Sequence, residues 1–240
     1  MSNNDLFSMQ GKLVLVTGAS SGLGKHFAQV LAKAGATVLL TARNVEKLQQ
    51  VLDQIQAEGG QAFAVAMDVS NSTSVKTALN AIVDQHGVPD VLVNNAGQSI
   101  AKPMLEQTED DWDQIIDTNL KGCWLVGTEL ARALAAAGKP GSIVNIASIL
   151  GERVGGAVGP YAISKAGLVQ ATKAMALELA RYSIRVNAIL PGYVATDMNS
   201  EFLASELGDK LRKRIPTRQF CELSDLTGPL LLLASNAGAG

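Results

Sequence analysis

Leu13-Val14-Leu15-Val16-Thr17-Gly18-Ala19-Ser20-Ser21-Gly22-Leu23-Gly24 decides the fold of this chain. Its first five residues form a short apolar run without polar alternation, the pattern of a strand covered on both faces. The residues after it carry three glycines spaced Gly-x-x-x-Gly-x-Gly, and helical sequence begins at Leu23. A strand that turns through glycine into a helix presents backbone N–H groups and a positive dipole end to a bound phosphate. The spacing differs from the Gly-x-Gly-x-x-Gly of many dinucleotide sites, but the order strand, turn, helix is the required one. The plain alternative is a tight turn with no ligand.

The same alternation repeats outward. Thr37–Thr41, Ala62–Met67, Val91–Asn94, Ser142–Ala147 and Arg185–Leu190 read as further buried strands. Helical sequence separates them over Leu23–Ala34, Val45–Glu58, Ser72–Gln85, Asp110–Ala137 and Tyr161–Ala180. Strands alternating with helices predict the α/β class and a doubly wound parallel sheet with helices on both faces. No linker, repeat or low-complexity stretch divides residues 1–240, so one domain is expected. Gly151–Pro160 is glycine-rich and reads as a loop leading into the helix that carries Tyr161.

Bulk composition narrows the function. The 240 residues are 47% apolar, enough for a substantial core, and the formal charge is -2. No long basic block offers a footprint for nucleic acid or an anionic membrane, and aromatics are too scarce for a base-stacking surface. No apolar run reaches membrane-spanning length. The polar start Met1-Ser2-Asn3-Asn4-Asp5 lacks the basic onset and apolar centre of a signal peptide, so a cytoplasmic protein is expected. Cys123 and Cys221 show no disulfide spacing, and His26 and His86 have no partner ligands nearby in sequence, so no metal is expected.

The ends of the strands carry the candidate ligand-binding residues. Gly18, Ser20, Ser21, Gly22, Leu23 and Gly24 form the phosphate turn. An acid about 20 residues on would accept hydrogen bonds from the adenosine ribose of NAD. This chain has Thr41-Ala42-Arg43-Asn44 there, with no acid. Arg43 is placed to grip a 2′-phosphate, which favours NADP(H) over NAD(H); a solvated surface arginine is the alternative. Asp68 and Val69 follow the third strand and fall near the adenine, although an Asp at a strand end also serves as a helix cap. Asn94-Asn95-Ala96-Gly97 ends the fourth strand, where small residues let backbone approach a cofactor. The alternative for Asn94 and Asn95 is that they stitch neighbouring strands together.

Tyr161 and Lys165 lie four apart, which places both on one helix face. A phenol near pKa ~10 is a poor acid at neutral pH, and an adjacent ammonium favours its ionised form. A serine from another segment, Ser148, then hydrogen-bonds a substrate oxygen. Together these make a proton-transfer device for a carbonyl and alcohol pair. Tyr-x-x-x-Lys alone is equally a surface helix pair.

Taken in order, the glycine turn at Thr17–Gly24, Asn94–Gly97, Asn119 in Thr-Asn-Leu-Lys-Gly, Ser148, Tyr161, Lys165 and Pro191-Gly192 resemble the short-chain dehydrogenase/reductase family. The resemblance spans nearly the whole chain and is nearest in character to 3-oxoacyl thioester reductases and related sugar or alcohol dehydrogenases. It implies a Rossmann-like fold and the catalytic set Asn119, Ser148, Tyr161 and Lys165. In it Tyr161 is the acid/base, and Lys165 binds the nicotinamide ribose and depresses the Tyr161 pKa, helped by the positive nicotinamide of the oxidised cofactor. Ser148 polarises the carbonyl, and Asn119 anchors a water in a proton relay. It further implies that Pro191, Gly192, Val194 and Thr196 cover the nicotinamide. Asp197–Ile215 would be a substrate lid, with Met198, Phe202 and Leu203 apolar and Lys210, Arg212, Lys213 and Arg214 charged. A homo-oligomer, dimer or tetramer, would form through the helices Asp110–Ala137 and Tyr161–Ala180.

Relatives usually continue into a seventh strand that this sequence does not show, so six strands are expected and the tetramer contact is in question. The expected reaction is ketone reduction or alcohol oxidation with NADP(H). A 3-oxoacyl thioester is the first substrate expectation, and a sugar, steroid or simple alcohol the next. An isomerase or dehydratase, or a nucleotide-binding regulator without turnover, are the rivals.

Overall fold

The glycine-rich unit folds as strand β1 (Leu13–Thr17), a turn, and helix α1 (Gly22–Lys33) in a computed structural model that describes residues 6–196 and 199–239. The pattern then repeats through β2 (Thr37–Ala42), α2 (Val45–Ala57), β3 (Gln61–Ala66), α3 (Ser72–His86) and β4 (Val91–Asn94). Beyond β4 come α4 (Glu109–Ile116), α5 (Gly122–Ala136), β5 (Gly141–Ile146), α6 (Gly159–Leu179) and β6 (Ile184–Ile189). Three shorter helices follow, α7 (Ser200–Ala204), α8 (Glu206–Arg212) and α9 (Thr227–Ala234). The expected strands match these within a residue at each end.

All five strand pairings are parallel, in the order β3-β2-β1-β4-β5-β6. The chain winds outward from β1 to β3, then returns to lay β4 on the other side of β1. A crevice opens where the winding reverses, beyond the carboxyl ends of β1 and β4. Each strand feeds two cores because successive side chains point to opposite faces. Val14, Val16, Val38 and Leu40 pack with Phe27 and Leu31 of α1 on one face. Leu15, Leu39 and Leu92 pack with Val75 and Ile82 of α3 and Val126 and Leu130 of α5 on the other. Burial on both sides explains why the strands read as unbroken apolar runs.

Side-chain caps fix the loops that leave the sheet at this end. Asn44 accepts from the Lys47 N–H at 2.9 Å, and Asn71 from the Ser74 N–H at 3.0 Å. Thr108 and Asp111 exchange hydrogen bonds in a capping box at the start of α4. Each such cap stabilises its helix by about 1 kcal/mol. No helix among the described residues is long and apolar enough to cross a membrane.

The expected single helix Asp110–Ala137 is interrupted. Between α4 and α5 the chain makes a π-helical turn, Asp117–Lys121, and the Gly122 N–H reaches back to the Asp117 carbonyl. A π turn inserts one extra residue without breaking the rod, so apolar periodicity on either side still reads as helix. Asn119 sits inside this turn.

Four elements are stitched by a buried polar ladder. Asn94 Nδ2 donates to the Cys123 carbonyl at 3.0 Å and to Asn145 Oδ1 at 2.9 Å. Asn145 Nδ2 continues to Thr172 Oγ1 at 2.9 Å, and that hydroxyl donates to the Leu168 carbonyl at 2.7 Å. Asn94 therefore takes the strand-stitching alternative. Asn145→Ala should leave partners at both ends of the ladder unsatisfied, lowering stability by about 1–3 kcal/mol. A urea midpoint unchanged from the parent protein would contradict this.

Candidate active site

The crevice begins at the glycine turn. Gly18 and Gly22 have φ of 64° and 51°, conformations that side chains rarely adopt. A Cβ on Gly24 would stand 2.2 Å from the Gly18 carbonyl oxygen, so that position admits glycine alone. Asn95 braces the turn from the side: its Nδ2 donates to the Thr17 carbonyl at 3.0 Å and the Gly18 carbonyl at 3.3 Å. Thr17 Oγ1 in return accepts from the N–H groups of Asn95 and Ala96, both at 3.0 Å. Ser21 precedes α1 in extended conformation and does not cap it with its side chain. The first-turn amides of α1 therefore point toward the crevice as anion donors.

From this turn a cleft of about 420 Å³ runs along the carboxyl ends of the strands. Its volume falls in the range of cofactor sites. One end is lined by Gly18, Ser20, Ser21, Gly22 and Leu23, with Arg43, Asp68 and Val69 beside them. Asn95, Ala96 and Gly97 line the middle. Ser148, Tyr161, Lys165, Pro191, Gly192, Val194 and Thr196 line the far end. Of the residues expected to bind cofactor, only Gly24 stays off the surface, buried behind Gly18. A cradle where Cβ atoms would collide, the helix amides and an arginine fit a phosphate-bearing dinucleotide.

Arg43 is exposed at the cleft and enters no ion pair among the described residues. Asp68 turns one carboxylate oxygen back on its own loop, accepting from the Ser70 N–H at 3.0 Å and the Ser70 hydroxyl at 2.7 Å. Asn71 rather than Asp68 caps the helix that follows, so Asp68 closes a local turn beside the cleft instead of serving as that cap.

At the far end, three segments converge. Ser148 follows β5 and accepts from the Leu150 N–H at 3.1 Å, which fixes its rotamer. Tyr161 lies in the first turn of α6, just after Pro160, a residue pre-set for helix starts. Lys165, one turn on, is buried and donates from Nζ to the Ile146 carbonyl at 2.8 Å. Its ammonium lies 5.7 Å from the Tyr161 ring centroid. Asn119 is fully buried behind Gly97 and does not line the cleft. Its Oδ1 accepts from the Gln98 N–H at 2.8 Å, while Nδ2 donates to the Gln98 carbonyl at 2.9 Å and Ser164 Oγ at 3.1 Å. The carboxamide is thus committed to protein groups on both sides.

Burial sets the protonation states. It pushes the Tyr161 phenol above its ordinary value, with the Ser148 hydrogen bond pulling the other way and Tyr193 adding to the rise. It draws the Lys165 ammonium down, opposed by Cys123. In the chain without dinucleotide, desolvation of the phenolate sets the direction of the Tyr161 shift. Burial likewise pushes the Cys123 thiol up to about 11 despite the nearby Lys165.

Gln98, Thr118 and Asn199 also line the cleft, with no role assigned to them from the sequence. Asn199 accepts from the Thr196 N–H at 3.0 Å and hydroxyl at 3.2 Å, and donates to the Val194 carbonyl at 2.9 Å. The pair Thr196 and Asn199, three apart, was the available signal. In the expected lid, Asp197 and Met198 lie outside the described residues. Leu203 is buried and Phe202 exposed, while Lys210 pairs with Glu206 and Arg212 with Asp209.

Residues 12–207 match the short chain dehydrogenase family. The chain belongs to the short-chain dehydrogenases. Among its relatives, gluconate 5-dehydrogenase of Gluconobacter oxydans is 37% identical over 240 residues, covering 100% of this chain and 93% of that protein. The 3-oxoacyl-(acyl-carrier-protein) reductase of Staphylococcus epidermidis is 36% identical over 226 residues, 94% of this chain and 92% of that one. A crystal structure of gluconate 5-dehydrogenase from Burkholderia cenocepacia in complex with NADP and tartrate superposes with a TM-score of 0.94. It is 33% identical and covers 98% of this chain and 92% of its own. The parallel sheet of this short-chain dehydrogenase thus shares its fold with these proteins.

The raised phenol is measurable in this short-chain dehydrogenase without added dinucleotide. Of its three tyrosines, Tyr161 should titrate above the ordinary value of 10.0 in an ultraviolet titration, and Tyr161→Phe should remove that late step. A titration step below 10 that vanishes in Tyr161→Phe would contradict the burial argument.

Proposed function

We propose that this chain is one NADP(H)-dependent oxidoreductase domain that interconverts a carbonyl and a secondary alcohol. The observation that carries the reading is the convergence of Ser148, Tyr161 and Lys165 on one end of a cleft whose other end holds Arg43 and the glycine turn. When bound, the dinucleotide supplies hydride for reduction and accepts it in oxidation.

The chain's own residues orient the reactants and handle the proton. Gly18 through Leu23 and the first turn of α1 hold the pyrophosphate, and Arg43 grips the 2′-phosphate. Pro191, Gly192, Val194 and Thr196 border the nicotinamide end, with Lys165 toward its ribose. Ser148 donates to the carbonyl oxygen and stabilises charge that develops there. Tyr161 transfers the proton to that oxygen in reduction and removes it in oxidation. Because burial keeps the phenol protonated at neutral pH, the chain by itself is set for reduction; oxidation should quicken as pH rises. Asn119 holds the Gly97–Gln98 backbone against Lys165.

Two substrate classes are supported. A keto sugar acid is favoured by the gluconate 5-dehydrogenases among the relatives and by the 2-dehydro-3-deoxy-D-gluconate 5-dehydrogenase of Escherichia coli, 36% identical over 232 residues. A 3-oxoacyl thioester is favoured by the acyl-carrier-protein reductases and by the exposed apolar Met104, Leu105 and Val154 on the loops beyond β4 and β5. Exposed Trp124 and Leu177 on α5 and α6 support a homo-oligomer through those helices.

A panel of keto sugar acids, 3-oxoacyl thioesters and simple ketones, followed by NADPH absorbance, should show turnover with at least one of the first two. Tyr161→Phe should reduce kcat by about 100-fold or more, the usual scale for a lost acid/base, with NADPH binding kept. Near-normal turnover in that variant would sink the assignment. Arg43→Ala should raise the KM for NADPH at least about tenfold, the loss expected of one charge-assisted contact. Its KM for NADH should hardly move; equal effects on both would remove Arg43 from the phosphate role.

A further inference from the structure

Gln98 is tied to the π turn at both its backbone and its side chain, a doubled attachment made by no other cleft residue described above. Its N–H and carbonyl form a two-point contact with Asn119, at 2.8 and 2.9 Å. Its side-chain Nε2 donates to the Gln114 carbonyl at 2.8 Å and to Thr118 Oγ1 at 3.0 Å. Gln114 Nε2 returns a bond to Gln98 Oε1 at 3.2 Å. Gln98 thus spans from Gln114, in the last turn of α4, to Asn119 at the centre of Asp117–Lys121.

The geometry makes this attachment matter. Thr118 and Asn119 are neighbours in the π turn. Here both face Gln98, one through its side chain and one through its backbone. Gly97, the residue before, sits between Asn119 and Lys165: a Cβ built on it would lie 3.3 Å from Asn119 Oδ1 and 3.5 Å from Lys165 Nζ. Asn119 also passes the contact to α6 through Ser164, whose hydroxyl donates to the Tyr161 carbonyl at 2.7 Å. A shift of Gln98 therefore moves the backbone against the ammonium and loosens the turn that carries Tyr161.

We propose that Gln98 is a positioning residue for the proton-transfer group, acting by locking the π turn so that Asn119 holds Gly97 against Lys165. This rests on the oxidoreductase reading above. Gln98 and Thr118 line the cleft, but the lock acts through Lys165 and Tyr161. A displaced ammonium favours the phenolate less, so the alkaline limb of the oxidation rate moves to higher pH.

Gln98→Met keeps the side-chain volume and removes all three of its side-chain hydrogen bonds; Thr118→Val removes one acceptor from the opposite side. Both should lower kcat roughly ten- to a hundredfold, the cost of a small misplacement of reacting groups, with little change in the dissociation constant for NADPH. Both should move the alkaline limb upward. Gln98→Met combined with Asn119→Ala should be no slower than Asn119→Ala alone, because the two act as one unit. Parent-like kcat and pH profile in Gln98→Met, or additive losses in the double variant, would overturn the proposal, whatever the melting temperature does. Tyr161→Phe run alongside separates the failures: if it keeps turnover, the oxidoreductase reading falls; if it is inactive while Gln98→Met is normal, only the lock falls.

Discussion

The Lys165 ammonium lies beneath the cleft, 4% exposed, and donates to the Ile146 carbonyl rather than to a carboxylate. Removing a cation from water costs several kcal/mol even after relaxation, so a fold that keeps one there must constrain its surroundings closely. β5 ends at the residue whose carbonyl receives the ammonium. α6 is long enough to carry Tyr161 and Lys165 on one face and still bury Leu168, Thr172 and Met175 against the sheet. Gly97 has no side chain that would crowd Asn119 Oδ1, 3.3 Å from where its Cβ would stand, beside the same nitrogen. The proton chemistry proposed for Tyr161 depends on all three.

A second constraint acts at the opposite end. The turn from β1 to α1 closes only because Gly24 has no side chain to strike the Gly18 carbonyl and Gly18 none to strike Ala96, and Asn95 ties the turn to the end of β4. β4 then continues into Gly97 and Gln98. One strand end thus joins the phosphate cradle to the proton-transfer cluster, and the distance between them is set by the sheet. That is how a sheet of this winding holds a long ligand in register with a reacting group.

Much of this was legible in the sequence because it follows from local rules. Unbroken apolar runs gave the parallel strands, and the glycine spacing gave the turn. The four-residue interval of Tyr161 and Lys165 gave their shared face. What escaped notice depended on long-range geometry. The π turn leaves the apolar periodicity of its flanks intact, so Asp110–Ala137 reads as one helix. Gln98 and Thr118 look ordinary until that turn brings them together. Burial, which no spacing reveals, raises the phenol of Tyr161 in the chain without dinucleotide. Asn95 and Asp68 carry structural bonds as well as cleft surface, a double use that a motif cannot express.

The most direct test of the account follows the hydride itself. Reduction of a keto sugar acid or a 3-oxoacyl thioester with NADPH deuterated at nicotinamide C4 would be analysed by nuclear magnetic resonance of the product. The account predicts deuterium on the new carbinol carbon, transferred from one face of the nicotinamide, with the hydroxyl proton drawn from solvent. Product carrying solvent hydrogen at that carbon would contradict it.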